Sequence, residues 1–368
     1  MQMGIAHQEG CSQKDQALQG PTRRQRIYSC LLHGLLRNIC TCYQTHIHSN
    51  NTRHPARNIW PIDMFDFYSA FLNGQLDKDE EVFMEQPPGH EESDLQKYCV
   101  KLYKSLYGLK QAGQKWYEIV CFMLAELGCK KSDADQAVFY IHAGKDILIL
   151  AIHVDDCTMR GSSDNLIQSY KLKIKSKYDL TDLGPIHWLL GIKITRDREN
   201  PTISLFQLSY IDSLVRRFNF TDLDLIDQNI RYLKNQCPQT PEQATEMCHI
   251  PYRNAVGLLL YLIVTTRPGI AFPIGILSQF VDNLGRGQWE GVKHVFRYLA
   301  GMRNWALVYG TKVKGLEGFT DADSPTQDHR HAITRYTFLG AISWSSKKQE
   351  IVTLSTAKSK YVAATHLQ

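Results

Sequence analysis

No stretch of the 368-residue chain is long and apolar enough to span a bilayer, and the first residues, MQMGIAHQEGCSQKDQ, lack the apolar core of a signal peptide. A membrane partner and secretion are therefore not expected, and the chain reads as intracellular, with no signal that chooses between cytoplasm and nucleus. Internal repeats are absent too, which excludes solenoids and propellers. The 10 cysteines show no regular pairing. Cys40 and Cys42, with His46 and His48, lack a C-x₂-C pair and a second matching half, so zinc is not expected there. The other cysteines lie in apolar segments and read as reduced core residues. Charge is scarce as well: the net +5 sits in residues 1–58, which hold seven Lys/Arg against two Asp/Glu, while the remainder holds 35 of each sign. That basic segment is either a solvated tail or an arm that touches nucleic acid. What is present is 43% hydrophobic and 21% charged residues, a composition that supports packed cores, and a length that suggests two or three domains.

From Ile59 onward the texture is regular. IWPIDMFDF reads as a strand, EVFMEQPPG as a short strand stopped by Pro87 and Pro88, and QKYCVKLYKSLYG as a strand and turn. In QAGQKWYEIVCFMLAELG, Trp116, Val120, Met123, Leu124 and Leu127 recur at helical spacing, with Gly128 placed to end the helix. AVFYIHAGKDILILAIHV gives two strands around Gly144, SDNLIQSYKLKIKSKY a helix, HWLLGIKITRDRENPTISLFQ a hairpin turning at Asn200 and Pro201, and SYIDSLVRRF a helix. Residues 221–250 read as a linker. Helices follow from Tyr252 to about Ala300, and from Asn304 a last unit of strands closes in the helix that opens STAKSKYVAATH. Strands interleaved with helices place the chain among α+β or α/β proteins.

The chemistry-bearing stretch is ILILAIHVDDCTMRGSS. A buried apolar strand ends in adjacent carboxylates, Asp155 and Asp156. Two readings stay open from the stretch itself: turn residues that bond nearby backbone N–H groups, or hard oxygen ligands for a divalent cation shared with substrate phosphates. The second needs another carboxylate. IDMFDFYSAFLNG offers Asp63 and Asp66, which three residues apart on one strand face opposite sides.

The motifs DFYSAFLNGQLDKDEEVFMEQPPG, KLYKSLYGLKQAGQKWYE, HVDD, LTDLGPIHWLLGIKI, PYRNAVGLLLYLIVTTRPGIAF and SKKQEIVTLST, in this order, resemble the reverse transcriptase and ribonuclease H region of copia-type LTR retrotransposon Pol polyproteins, in a truncated and partly decayed form. The resemblance runs from about residue 59 to the end. It implies an α+β fold: a polymerase palm of antiparallel sheet and packed helices with truncated fingers over 59–220, a linker and helical connection over 221–303, and an incomplete ribonuclease H-like α/β domain over 304–368, behind a non-matching basic segment 1–58. It implies Asp66, Asp155 and Asp156 as catalytic ligands of Mg²⁺ (or Mn²⁺), Phe71 as the ring under the sugar, and Gly108 and Lys110 as residues lining the nascent base pair. WLLGIKI, residues 188–194, would grip the primer. The implied partners are an RNA or DNA template with primer and a deoxynucleoside triphosphate.

Departures from the family pattern bear on activity. Residues 1–58 do not resemble the fingers, and cations lost from a transferring phosphoryl group cost several kcal/mol. His153 stands where the family usually has Tyr. Asp321 matches the first ribonuclease H ligand, with Asp323 beside it, but Lys358 and Lys360 replace both Glu of the family's STAEAEY. An ammonium has no lone pair for a metal and repels it, and the later catalytic Asp would lie beyond Gln368. Ribonuclease H activity is therefore expected to be lost. The expected function is RNA-directed DNA polymerase, or else a catalytically inactive remnant that at most binds nucleic acid.

Overall fold

A computed structural model describes residues 3–7, 60–77, 79–90, 98–133, 135–200, 202–220, 236–310, 318–322, 331–338, 344–353 and 355–365. The Cys40/Cys42/His46/His48 cluster, Asp323 and most of the basic segment lie outside them. The chain forms two compact units, which part between Ile186 and His187, inside the stretch read as one palm from the sequence.

The first unit is built on a six-stranded antiparallel sheet. Its strands are β2 (Ile62–Phe67), β5 (Lys130–Lys131), β6 (Val138–Ala143), β7 (Asp146–His153), β8 (Asp156–Gly161) and β9 (Leu180–Pro185), ordered β5-β6-β7-β8-β2-β9. A smaller sheet joins β1 (Met3–His7), β4 (Tyr98–Leu102) and β3 (Val82–Met84) in that order. The alternation in β7 and β8 explains the main core: Leu148, Leu150, Cys157 and Met159 share one buried face with Phe65 and Phe67 of β2. Two amphipathic helices supply the other side of that core, α1 (Ala112–Glu126) through Trp116, Val120, Met123 and Leu124, and α2 (Asp164–Lys175) through Ile167, Tyr170 and Ile174. Helix α1 ends as its sequence requires. Gly128 takes φ +83°, and the N–H groups of Gly128 and Cys129 donate to the carbonyls of Ala125 and Leu124 at 2.9 Å each, the paired closure that favours glycine. Helix α2 starts at Ser163, whose hydroxyl accepts from the Leu166 N–H at 3.3 Å, a cap worth about 1 kcal/mol.

The second unit contains a four-stranded sheet ordered β10 (Trp188–Leu189), β11 (Ile192–Asp197), β12 (Thr202–Phe206) and β13 (Leu307–Gly310). Helices α3 (Leu208–Arg217), α4 (Pro241–Met247), α5 (Tyr252–Thr265), α6 (Ala271–Leu277) and α7 (Arg286–Gly301) follow along the chain. Leu214, Leu259, Leu262, Ile274, Phe296 and Leu299 are part of a core shared by α3, α5, α6 and α7. A three-stranded sheet, β14 (Gly318–Ala322), β15 (Ile333–Phe338) and β16 (Trp344–Lys348), packs with α8 (Thr356–Thr365).

Two details differ from the sequence reading. Helix α4 lies inside the presumed linker; it buries no residue, so no apolar stripe announces it. Strand β13, grouped from the sequence with the last unit, pairs instead with β12, because strand partners are chosen by non-local packing. Among the described residues no single helix is long and apolar enough to cross a membrane. Helices α4 and α5 reach that length only as a pair bent by 52°.

Candidate active site

The two aspartates of β2 have separate fates. Asp63 is buried, and its carboxylate lies 2.7 Å from Lys171 Nζ of α2 and 3.3 Å from Gln168 Nε2. Lys171 also reaches Asp182 at 2.5 Å. Asp63 is thereby committed to a buried ion pair. Asp66 faces the other way and stands directly opposite Asp156 in the β2–β8 register, while Asp156 in turn stands opposite His153 across β7–β8. Directly opposed residues share a face and lie close together. Thus β7, β8 and β2 present a row of His153, Asp156 and Asp66.

Asp155 sits at the turn that joins β7 to β8. Because His153 pairs with Asp156, the two turn residues are Val154 and Asp155, one position earlier than the DD pair suggests. Val154 has φ +58°, a left-handed conformation costly for a β-branched residue. Tertiary contacts impose it: the Trp116 indole Nε1–H donates to the Val154 carbonyl at 2.7 Å, and the Phe67 N–H donates to the Asp155 carbonyl at 3.0 Å. Trp116 is itself buried edge-on against Phe67, with ring centroids 5.1 Å apart. We expect Trp116→Phe to destabilise the protein by about 1–3 kcal/mol, because a carbonyl loses its donor and the site loses volume. Amide hydrogen exchange at Val154–Asp156 should accelerate more than at β6. Equal protection of that turn in both proteins would refute the indole's part in holding it.

The electrostatics are those of a like-charge cluster. Burial raises Asp66 above the ordinary carboxylate value, and the charges of Asp156 and Asp155 raise it further. Burial also raises Asp156, with His153 opposing and Asp155 adding to the rise. Burial lowers His153 despite those two carboxylates, so its ring favours the neutral form at pH 7 and offers them no full counter-charge. Asp155 Oδ1 is buried with no hydrogen-bond partner among the described residues. Its other oxygen, Oδ2, accepts from the Tyr107 hydroxyl at 2.8 Å. Partial desolvation, the hydrogen bond to Asp155 and the nearby charges of Asp155 and Asp66 push the Tyr107 phenol up to about 12, so it stays a donor.

These groups suit a hard divalent cation: two opposed carboxylates that repel, plus a buried carboxylate oxygen without a partner. They do not form a closed cage, since among the described residues no three His, Cys, Asp or Glu converge as metal ligands. Mg²⁺ is bound in this open manner, through one or two carboxylates with water and substrate phosphates.

The remaining expected residues fall as follows. Phe71 is half-buried against the main core, and its ring packs on Tyr107 with centroids 4.8 Å apart. Gly108 takes φ +104° in an open turn, so the backbone conformation alone accounts for glycine there. Lys110 is exposed. Asp321 lies in the second unit on β14, where Lys360 Nζ of α8 approaches its Oδ1 to 3.4 Å. Two features carried no local signal in the sequence. One is the Tyr107 contact. The other is a cleft of about 610 Å³ just beyond β2, whose lining includes Tyr68, Tyr103, Lys104, Lys175, Lys177 and Asp179.

Sequence comparison with known proteins points to one family. Residues 52–230 match the family model described as reverse transcriptase (RNA-dependent DNA polymerase). The chain is 38% identical over 313 residues to the retrovirus-related Pol polyprotein from transposon TNT 1-94 of Nicotiana tabacum, which covers 83% of this chain and 23% of that protein. It is 32% identical over 308 residues to the Pol polyprotein from transposon RE1 of Arabidopsis thaliana, covering 82% of this chain and 20% of that one. The chain thus spans about a fifth of the length of these curated relatives. Among solved structures, the foamy viral protease–reverse transcriptase in complex with RNA/DNA hybrid aligns over 87% of this chain and 38% of that one, with a TM-score of 0.44 and 12% identity.

Proposed function

The chain belongs to the reverse transcriptase family of copia-type Pol polyproteins, and from that premise we propose that its first unit is a polymerase palm that extends a primer along an RNA or DNA template. The observation that carries this reading is the placement of Asp66 opposite Asp156, with Asp155 on the adjoining turn. Nucleotidyl transfer needs anionic ligands held still. Here two come from the middle of a six-stranded sheet, and the third from a turn tied down by Trp116 and Phe67. Bound Mg²⁺ (or Mn²⁺) would neutralise the triphosphate and favour loss of the primer 3′-hydroxyl proton in an in-line displacement. The protein's own part is to hold Asp66, Asp155 and Asp156 for that cation. Phe71, seated on Tyr107, is the ring assigned to the sugar of the incoming deoxynucleotide. Gly108 and Lys110 line the nascent pair. The cleft beside β2, with its tyrosines and lysines, has the composition that binds phosphates and stacks bases.

Ribonuclease H activity is absent in this proposal. Lys360 stands where a ligating Glu would be, and its ammonium is paired with the Asp321 carboxylate. Both side chains are exposed, so the pair adds little stability; its consequence is the loss of a metal ligand.

Primer extension on poly(rA)–oligo(dT) with Mg²⁺ or Mn²⁺ tests the reading, run beside Asp155→Asn. We expect extension by the wild type, its loss in the variant, and no cleavage of a labelled RNA strand in the same hybrid. Unchanged extension in the variant would refute the site. No extension from folded wild type would leave the polymerase as ancestry only.

A further inference from the structure

We propose that Tyr107 is a positioning residue for Asp155: its hydroxyl holds one carboxylate oxygen so that the other is presented to a divalent cation. The inference rests on the reading of Asp66, Asp155 and Asp156 as a metal site. Its basis is the unequal state of the two Asp155 oxygens. Oδ2 accepts from the Tyr107 hydroxyl at 2.8 Å, whereas Oδ1 is buried with no partner among the described residues. A buried carboxylate oxygen left without a donor is costly, and a cation is the ligand that would satisfy it. A carboxylate turns broadly about its terminal torsion. With one oxygen tethered, the other acquires a fixed direction.

Tyr107 is well placed to tether it. Its ring packs against Phe71, and Phe71 in turn packs against the core beneath β2. Immediately after it, Gly108 at φ +104° turns the chain sharply, a conformation that other residues adopt only with strain. The phenol is thereby held from the ring side and from the backbone side, on a segment that contributes no carboxylate of its own. Partners that hydrogen-bond a metal-ligating group commonly raise affinity 10–100-fold.

The opposite role makes the opposite prediction. Tyr107 is 53% exposed, and a tyrosine that merely capped Asp155 would compete with the cation, so its removal would tighten binding. Mn²⁺ alone, titrated into the full chain and followed by the electron paramagnetic resonance of free Mn²⁺, separates the two. Tyr107→Phe keeps the ring on Phe71 and removes only the hydroxyl. We expect it to weaken Mn²⁺ binding by about tenfold or more, with an unchanged circular dichroism spectrum and melting profile. Tyr107→Gln, which restores a donor, should bind more tightly than Tyr107→Phe. Equal or tighter binding by Tyr107→Phe, or no recovery in Tyr107→Gln, overturns the positioning role while leaving the metal site intact. Absence of saturable, Asp155-dependent Mn²⁺ binding in the wild type overturns the metal-site reading itself.

Discussion

Asp66→Asn is expected to abolish primer extension, by about a thousandfold or more, and at the same time to make the protein more resistant to heat at neutral pH. The two effects share one cause. Asp66 is partly buried and faces Asp156 across the β2–β8 pair, with Asp155 nearby, and like charges directly opposed destabilise a sheet. Its folded-state pKa is therefore raised from 3.8. A carboxyl group with a raised folded pKa supports the fold while protonated, and that support is lost as pH rises through the raised value. The wild type is free of the penalty below 3.8 and carries it in full once pH exceeds the raised value. The amide of Asn carries none at any pH. Thermal melts of both proteins should thus diverge as pH climbs out of the carboxylate range, with the variant a few degrees higher at neutrality. Mn²⁺ added to the wild type should narrow the gap, because the cation supplies the charge that the cluster lacks. A variant that melts lower than wild type across the whole pH range would contradict this account of the cluster. Sites that trade stability for function in this way are common.

Much of this arrangement was legible beforehand, for local reasons. The β6–β7 hairpin and helices α1 and α2 declare themselves because apolar residues recur at the period of the element and because Gly144, Gly128 and Ser163 sit at its ends. The register of the turn was not legible. Asp is a common turn residue and Val is not, so the DD pair looks like the turn, yet the chain turns at Val154–Asp155. The indole of Trp116, 38 residues away, helps to decide it. Nor could β2 alone choose between Asp63 and Asp66, since strand alternation says only that they differ in facing. Lys171 separates them by capturing Asp63. Tyr107 was invisible as a partner of Asp155 because the contact spans 48 residues and neither neighbourhood encodes it. Partner choice at long range is also what assigns β13 to the sheet of β12. In each case periodicity specified the element, and contacts between elements specified its use.

The ion pair behind the site should carry the largest stability effect. Lys171→Met is expected to cost about 3–5 kcal/mol, the range for removing one partner of a buried pair. The Lys171 and Asp63 side chains are only 4% and 12% exposed. Without the ammonium, Asp63 keeps Gln168 as its side-chain donor, at 3.3 Å, too little for a charge held away from water. Asp182, the second partner of Lys171, is 45% exposed and can hydrate, so it should add little. Denaturant unfolding of Lys171→Met, Asp63→Leu and the double variant forms a cycle that isolates the pair. The double variant should recover most of the loss, because an apolar pair of similar volume has no stranded charge. A single variant within about 1 kcal/mol of wild type would mean that Asp63 reaches water after all. The same cycle bears on catalysis. Asp63 and Asp66 sit on opposite faces of one six-residue strand, so the pair that anchors β2 to α2 from behind also fixes the height of Asp66 against Asp156. The double variant, stable but without that anchor, should extend primers more slowly than its melting temperature alone would suggest.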